Sequence, residues 1–272
     1  MRGFIAGVLV FIGLVLVPFA TVGIWMRREI LPTDAFTDLA TEVVQNDAVS
    51  DALANRFLDE LEKQEPRLAL GRVVLEPATR QAIGTPQFEQ IFRTAVGDMH
   101  AQLLRGDDEL SLNLDALLPV VRDTVAQVNT SIANQIPTSA GLPAITVVRK
   151  DNVPQLWFGV EVTREASWVF PVLMLVAFAG AVLIAEKRAI VLMISGFGMA
   201  FVCLVIGLAL RTGRDFLSDY VGSVVDVRAF NAGYDIVTDS LVSNTLLLGL
   251  VGLAAGVGGV VWLLVGRANT RA

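Results

Sequence analysis

The sequence predicts an all-α membrane protein: four transmembrane helices, with a mainly helical extracytoplasmic domain between the first and second. Three observations predict it. Hydrophobic residues make up 54% of the 272 and charged residues only 18%, with a mean hydropathy of +0.60; an average soluble protein has about a quarter charged residues. The apolar excess is gathered into four uncharged blocks rather than spread along the chain. The long segment between the first two blocks carries helical spacing and helix-capping residues.

The blocks are Gly3–Met26, Trp168–Ala185, Ala189–Leu210 and Thr245–Val265, of 24, 18, 22 and 21 residues without any Asp, Glu, Lys, Arg or His. A helix rises about 1.5 Å per residue and about 20 apolar residues cross the hydrocarbon core. In lipid each backbone N–H needs an internal partner, so the blocks read as α-helices. The second is short, and the weakly polar Val162–Ser167 ahead of it could extend it. The first is too long for the apolar core of a cleaved secretory signal. Its best small-residue cleavage position, Ala20, would put Pro18 at −3, so it reads as a retained anchor.

Charge near the span ends sets the direction. With Met1 inside, the inner pieces hold Arg2, Lys187, Arg188, Arg267 and Arg271 against Glu186. The outer pieces, 27–167 and 211–244, hold 13 basic with 21 acidic and 3 basic with 5 acidic residues. The inner basic density points to cytoplasmic N- and C-termini, although Arg27, Arg28, Arg211 and Arg214 fall outside. Trp25 and Trp168 then lie at the outer interface and Trp262 near the inner one.

Residues 27–167 form the outer domain. Thr33 is positioned to cap a helix from Asp34. Asp47 is positioned to cap the next, with Val49, Leu53, Phe57 and Leu61 on one face until Pro66 and Gly71 break the pattern. The strongest element starts at Thr85, an N-cap followed by Pro86 and Glu89. Phe88, Ile91, Phe92, Ala95, Val96, Met99 and Leu103 make a wide apolar stripe, and Gly106 ends the helix. Leu110–Leu114 and Ile145–Val148 read as short extended segments that could pair. Between them, Asp115 can cap a helix through Val120, Val121, Val125, Val128 and Ile132, ended by Pro137, Gly141 and Pro143. After Asp151–Asn152, a helix from Val153 could run into the second span. In the 211–244 loop, Phe216, Leu217, Tyr220, Val221 and Val224 make one amphipathic face. Phe230, Tyr234, Val237 and Leu241 make another, read as two short helices at the interface or under the outer domain.

Signals for chemistry are sparse. A net charge of −6 argues against nucleic acid, and no phosphate-binding loop marks a nucleotide site. One Cys excludes a disulfide scaffold. The only His, His100, could act as a base beside Asp98, but residues two apart on a helix diverge, so it reads as a solvated or core-edge side chain. Asp107, Asp108 and Glu109 read as a solvated acidic turn rather than a cation site. The Asn129-Thr130-Ser131 glycosylation triplet falls in a helical stretch and is discounted. No catalytic residue, cofactor or metal site is assigned. The spans contain no ionisable group, with Cys203, Ser195 and Thr21 the most polar, which argues against transport. The candidate helix-packing positions are Gly3 and Gly7 on the first span and Gly249, Gly252 and Gly256 on the last, where small residues let backbones approach. They read as packing within this chain, with a partner or second copy as the alternative.

An Arg-rich, Lys-poor, Ala- and Val-rich composition accompanies Trp25–Arg28 with Thr33–Phe36, Phe88–Leu104, Leu110–Pro119, Asn134–Pro137 and the outer loop. On these the chain resembles an uncharacterised actinobacterial integral membrane protein family with one span, an extracytoplasmic helical domain and three further spans. The resemblance implies location in a bacterial plasma membrane and no activity, cofactor or catalytic residue. The expected function is a non-enzymatic accessory or scaffolding subunit. It sits in the lipid bilayer and binds another membrane or envelope protein through the outer domain. The alternatives are lipid or amphiphile binding by that domain, motivated by the Phe88–Leu103 stripe, and an envelope lipid- or glycan-acting enzyme.

Overall fold

The computed structural model describes residues 1–64, 66–112, 116, 118–136, 145–149, 151, 167–221 and 226–269. It is all-α apart from one two-stranded patch. The chain divides into two compact units: Met1–Ile30, Glu161–Leu217 and Thr238–Ala272 form one, and Leu31–Val160 with Ser218–Val237 form the other. The first holds all four uncharged blocks and is called the apolar unit. The second carries 21 acidic and 11 basic residues and is called the acidic unit.

Helix α1 (Arg2–Trp25) opens the apolar unit and continues into a π-helical turn, Met26–Ile30. Helix α8 (Val169–Ile184) runs antiparallel to it. A Cβ placed on Gly13 would meet the Phe178 ring at 2.6 Å, Gly180 faces Leu9, and Gly23 lies beside the Ser167 carbonyl. Helices α9 (Arg188–Val221) and α10 (Val227–Asn269) are the longest in the chain. Val17, Ala20, Met174, Met199 and Cys203 pack where the helices meet. Phe4, Phe11, Leu175, Phe201, Leu204 and Leu250 point outward and are mostly exposed.

Among the described residues, three helices are long and apolar enough to cross a membrane: Arg2–Ile30, Arg188–Ser218 and Val227–Gly266. The fourth, α8, has 16 residues, about 24 Å at 1.5 Å per residue. The expected extension of this span over 162–166 lies outside the described residues.

The expected pair of short helices in the 211–244 loop is corrected. Residues 211–221 prolong α9, and 227–244 are the first part of α10. The physical reason is continuity of helical spacing: no Pro interrupts either join, so propagation costs less than nucleating a separate short helix. Asp226 starts α10, accepting the Arg228 and Ala229 N–H groups at 2.8 and 3.1 Å. Those donors hold its carboxyl below the usual carboxylate range. The Tyr220, Val221 and Val224 side chains lie outside what is described.

The acidic unit opens with α2 (Thr33–Gln45) and α3 (Asp47–Gln64). Two expected caps are corrected. Thr33 is the first helical residue after Pro32, and its hydroxyl is engaged elsewhere. Asn46, in extended conformation, accepts the Ala48 N–H at 3.0 Å and precedes α3 in place of Asp47; an extended residue with a short polar side chain fits an N-cap better than one already helical. A 3₁₀ turn (Pro66–Gly71) leads to α4 (Arg72–Ile83).

Helix α5 (Pro86–Arg105) matches its expected signals. Thr85 accepts the Phe88 N–H at 3.2 Å, and Gly106 ends the helix in the left-handed region at φ 83°. There a side-chain-bearing residue would be strained. Strand β1 (Glu109–Leu112) pairs antiparallel with β2 (Ile145–Arg149), with Leu110 opposite Val148 and an irregularity between Leu110 and Ser111. The expected helix through Ile132 is broken into α6 (Leu118–Val128) and α7 (Thr130–Ala133). Asn129 adopts an extended conformation, and its side chain accepts the Ser131 and Ile132 N–H groups, so it restarts the helix instead of continuing it. Leu114, Asp115, Pro137, Gly141, Pro143, Asn152 and Val153, where a strand end, a helix cap, helix breakers and a helix start were expected, lie outside the described residues.

Two buried clusters hold this unit. Phe57, Leu58, Leu61, Leu68, Leu75, Leu118, Val121 and Val125 form one, joining α3, α4 and α6. Val44, Ala54, Ile83, Phe88, Phe92, Ala95 and Val96 form the other, joining α2 and α3 to α5.

Candidate functional site

The residues with potential for chemistry fall on both units. In the acidic unit, His100 is 1% exposed. Its Nδ1 shares a hydrogen bond with the Thr33 hydroxyl at 3.1 Å, and its ring stacks on Phe36 with centroids 4.4 Å apart. Asp98 is exposed, so the base pairing weighed for these two residues is not assembled. The expectation of a solvated or core-edge ring is also corrected: His100 is enclosed because α2 lies across that face of α5. It acts as a polar tie between two helices inside an apolar cluster.

The acidic turn is dispersed by the helix end. Asp107 pairs with Arg105 at 3.0 Å, and Glu109 enters β1. Among the described residues, no group of three or more His, Cys, Asp or Glu side chains is close enough to hold a metal ion. A charge cluster absent from the sequence reading joins α3 to α4: the Arg72 guanidinium bridges Asp59 at 2.8 Å and Glu62 at 3.0 Å. Hydrogen bonding to Asp59, then the nearby Glu62, hold the Arg72 proton more tightly than usual.

The apolar stripe that motivated amphiphile binding is occupied. Phe88, Phe92, Ala95, Val96 and Leu103 are buried, against Val44, Ala54 and Ile83 in one cluster and against Leu110 in another. The stripe is therefore core.

In the apolar unit, three of the five candidate glycines meet α9. A Cβ on Gly252 would lie 2.9 Å from the Gly196 carbonyl oxygen and 3.1 Å from Ala200 N. One on Gly256 would meet Phe197 at 3.1 Å, and one on Gly249 would meet Cys203 Cβ at 3.1 Å. Gly259 continues the seam against Met193 and Ala189. Gly3 and Gly7 have open space at their Cβ positions. Gly259 follows directly on the candidate set of the last span, whereas Gly196 lies on the third block, where no two glycines show the four-residue spacing followed on the first and last. Ser195, next to Gly196, is buried with no partner for its hydroxyl among the described residues.

At the π-turn end of the same unit, Trp25 Nε1 donates to Ser240 Oγ at 2.8 Å. The Arg27 guanidinium lies 4.4 Å over the Trp168 ring. Both joins connect residues far apart in sequence, and no local pattern announces either.

No protein-family model, curated protein or solved structure matches this chain.

Proposed function

We propose that this chain is a multi-pass protein of the bacterial plasma membrane, with four helices crossing it, cytoplasmic termini and the acidic unit outside. In this reading it is a non-enzymatic accessory or scaffolding subunit that binds a partner protein through that unit. Membership of the actinobacterial family belongs to the same proposal, on the residues quoted above. The outward-facing Phe and Leu side chains of the apolar unit support the membrane part, since lipid is the solvent in which they are stable.

One observation carries the partner part. The acidic unit buries its helical stripes yet leaves Leu70 94% and Val73 87% exposed. They lie on either side of Gly71, which packs against Ile132, and exposed Val128 lies four residues before Ile132 in sequence, at the end of α6. Covering a side chain of this size recovers about 1.5–3 kcal/mol, so a partner that covers both gains anchoring contacts. The test is purification from native membranes of the wild-type chain and of a Leu70→Asp/Val73→Asp variant. The expected result is a co-purifying protein with the wild type and at least a tenfold loss with the variant, at unchanged thermal stability. Recovery of both as bare monomers counts against the reading. Cysteine labelling from the two sides of the membrane tests the orientation; reagents reaching the acidic unit only from the cytoplasm overturn it.

A further inference from the structure

We propose that the π-turn end of the apolar unit is a binding site for the phosphate of an anionic phospholipid headgroup, built on Arg27 held by Trp168, with Arg28 and Arg211 supplying further positive charge at the same end. The proposal rests on the membrane reading above but not on its orientation.

Spacing carries it first. The antiparallel packing of α1 with α8 and of α9 with α10 puts Arg2, Lys187, Arg188 and Arg267 at one end of the unit. Arg27, Arg28, Arg211 and Arg214 lie at the other. From Arg2 to Arg27 is about 37 Å, and from Arg188 to Arg211 about 35 Å, at 1.5 Å per residue. A bilayer has about 30 Å of hydrocarbon and about 40–45 Å including headgroups, so both sets of cations fall at the depth of the lipid phosphates.

Local construction distinguishes the π-turn end. The π-helical turn over Met26–Ile30 departs from α-helical spacing just where the two arginines sit, and such turns recur at functional sites. Arg27 is held over the Trp168 ring, which orders the guanidinium without using its N–H donors. The Trp25–Ser240 hydrogen bond ties the base of the turn to α10, and Gly23 admits the Ser167 backbone beside it. Arg27, Arg28 and Arg211 are exposed. Among the described residues, the acids at this end are Glu29, Asp215 and Asp239, and Asp215 pairs with its neighbour Arg214 at 3.3 Å. A guanidinium pre-ordered on an aromatic face presents its N–H fork to phosphate oxygens, and Arg28 and Arg211 add positive charge at the same end.

The experiment reconstitutes the full chain in nanodiscs of equal phosphatidylglycerol and phosphatidylcholine and counts retained lipids by native mass spectrometry. Wild type should retain phosphatidylglycerol preferentially. Arg27→Gln/Arg28→Gln should reduce that preference about fivefold per arginine, while Arg27→Lys/Arg28→Lys keeps part of it. Trp168→Leu should give an intermediate loss with both guanidinium charges intact. Equal retention of the two lipids by wild type overturns the proposal without recourse to any variant. So does a preference unchanged in the Gln variant, or displacement of the lipid by excess inorganic phosphate, which would mark a free-anion site. Carbonate washing of membranes reports separately on the membrane reading: release of wild type from the membrane sinks both, whereas a retained protein with no lipid preference sinks only this one.

Discussion

In the acidic unit, Leu58, Leu61 and Leu75 are fully enclosed and charged side chains face outward. In the apolar unit the enclosed positions include Ala6, Gly13, Val17 and Ala20, and large Phe and Leu side chains face outward. The contrast separates two ways of holding helices together. Water drives the first, because each large side chain removed from it contributes about 1.5–3 kcal/mol. Lipid tails are as apolar as leucine and offer no such drive, so the second relies on close backbone approach at small residues.

The comparison can be broken at several points. The largest effect is expected for Leu58→Ala, which opens a cavity in the α3–α4–α6 cluster and costs about 2–5 kcal/mol. Leu175→Ala, on the outward face of α8, should leave stability in micelles nearly unchanged. A similar loss for both, measured as melting temperature, would erase the distinction. Next comes Gly196→Ala. Its new methyl would fall 2.5 Å from the Gly252 carbonyl oxygen and nearer still to Gly256 N, costing about 1–3 kcal/mol by overpacking. Gly7→Ala, into open space, should be neutral or slightly stabilising through helix propensity. Engineered disulfides between α9 and α10 would report whether the seam has parted.

Thr33→Val should cost about 1 kcal/mol by removing a hydrogen-bond partner of buried His100. Urea titration of the full chain, followed by a probe on α2, reads that change, and a neutral result would deny the tie between α2 and α5. The smallest effect is expected at Asp226. Its carboxyl is held low by the Arg228 and Ala229 N–H groups, so its contribution is present above the unfolded value of about 3.9. It is lost as pH falls through the lower folded value. Asp226→Ala should speed hydrogen exchange in the first turn of α10 and leave the rest unchanged; Asp226→Asn, which keeps an acceptor, should preserve protection.

Much of the local structure was legible. Thr85, Pro86 and Gly106 mark both ends of α5 through backbone chemistry confined to a few residues, and the Leu110 and Ile145 segments were marked as extended. The errors arose where two local choices were close in energy. Asn46 and Asp47 are both capping types, and only the chain direction arriving from α2 selects Asn46. Asn129 can sit inside a helix or restart one, and its side chain decided for restarting. The 211–244 segment has the amphipathic spacing of separate short helices, but no breaker separates it from the apolar stretches, so the helices run on. Of the candidate positions, Gly249, Gly252 and Gly256 meet α9 and Gly3 and Gly7 do not, a distinction that spacing along one helix cannot carry.

By itself the sequence determined which segments are apolar enough to leave water and where α5 starts and stops. It also confined ionisable side chains to positions outside the uncharged blocks. These follow from composition and from interactions within a few residues. Only the tertiary structure decided that His100 is enclosed by α2, that Gly196 faces Gly252, that Arg72 bridges Asp59 and Glu62, and that Arg27 rests on Trp168. Each joins residues at least ten positions apart, and such a meeting is set by how helices cross, which no local run of residues encodes.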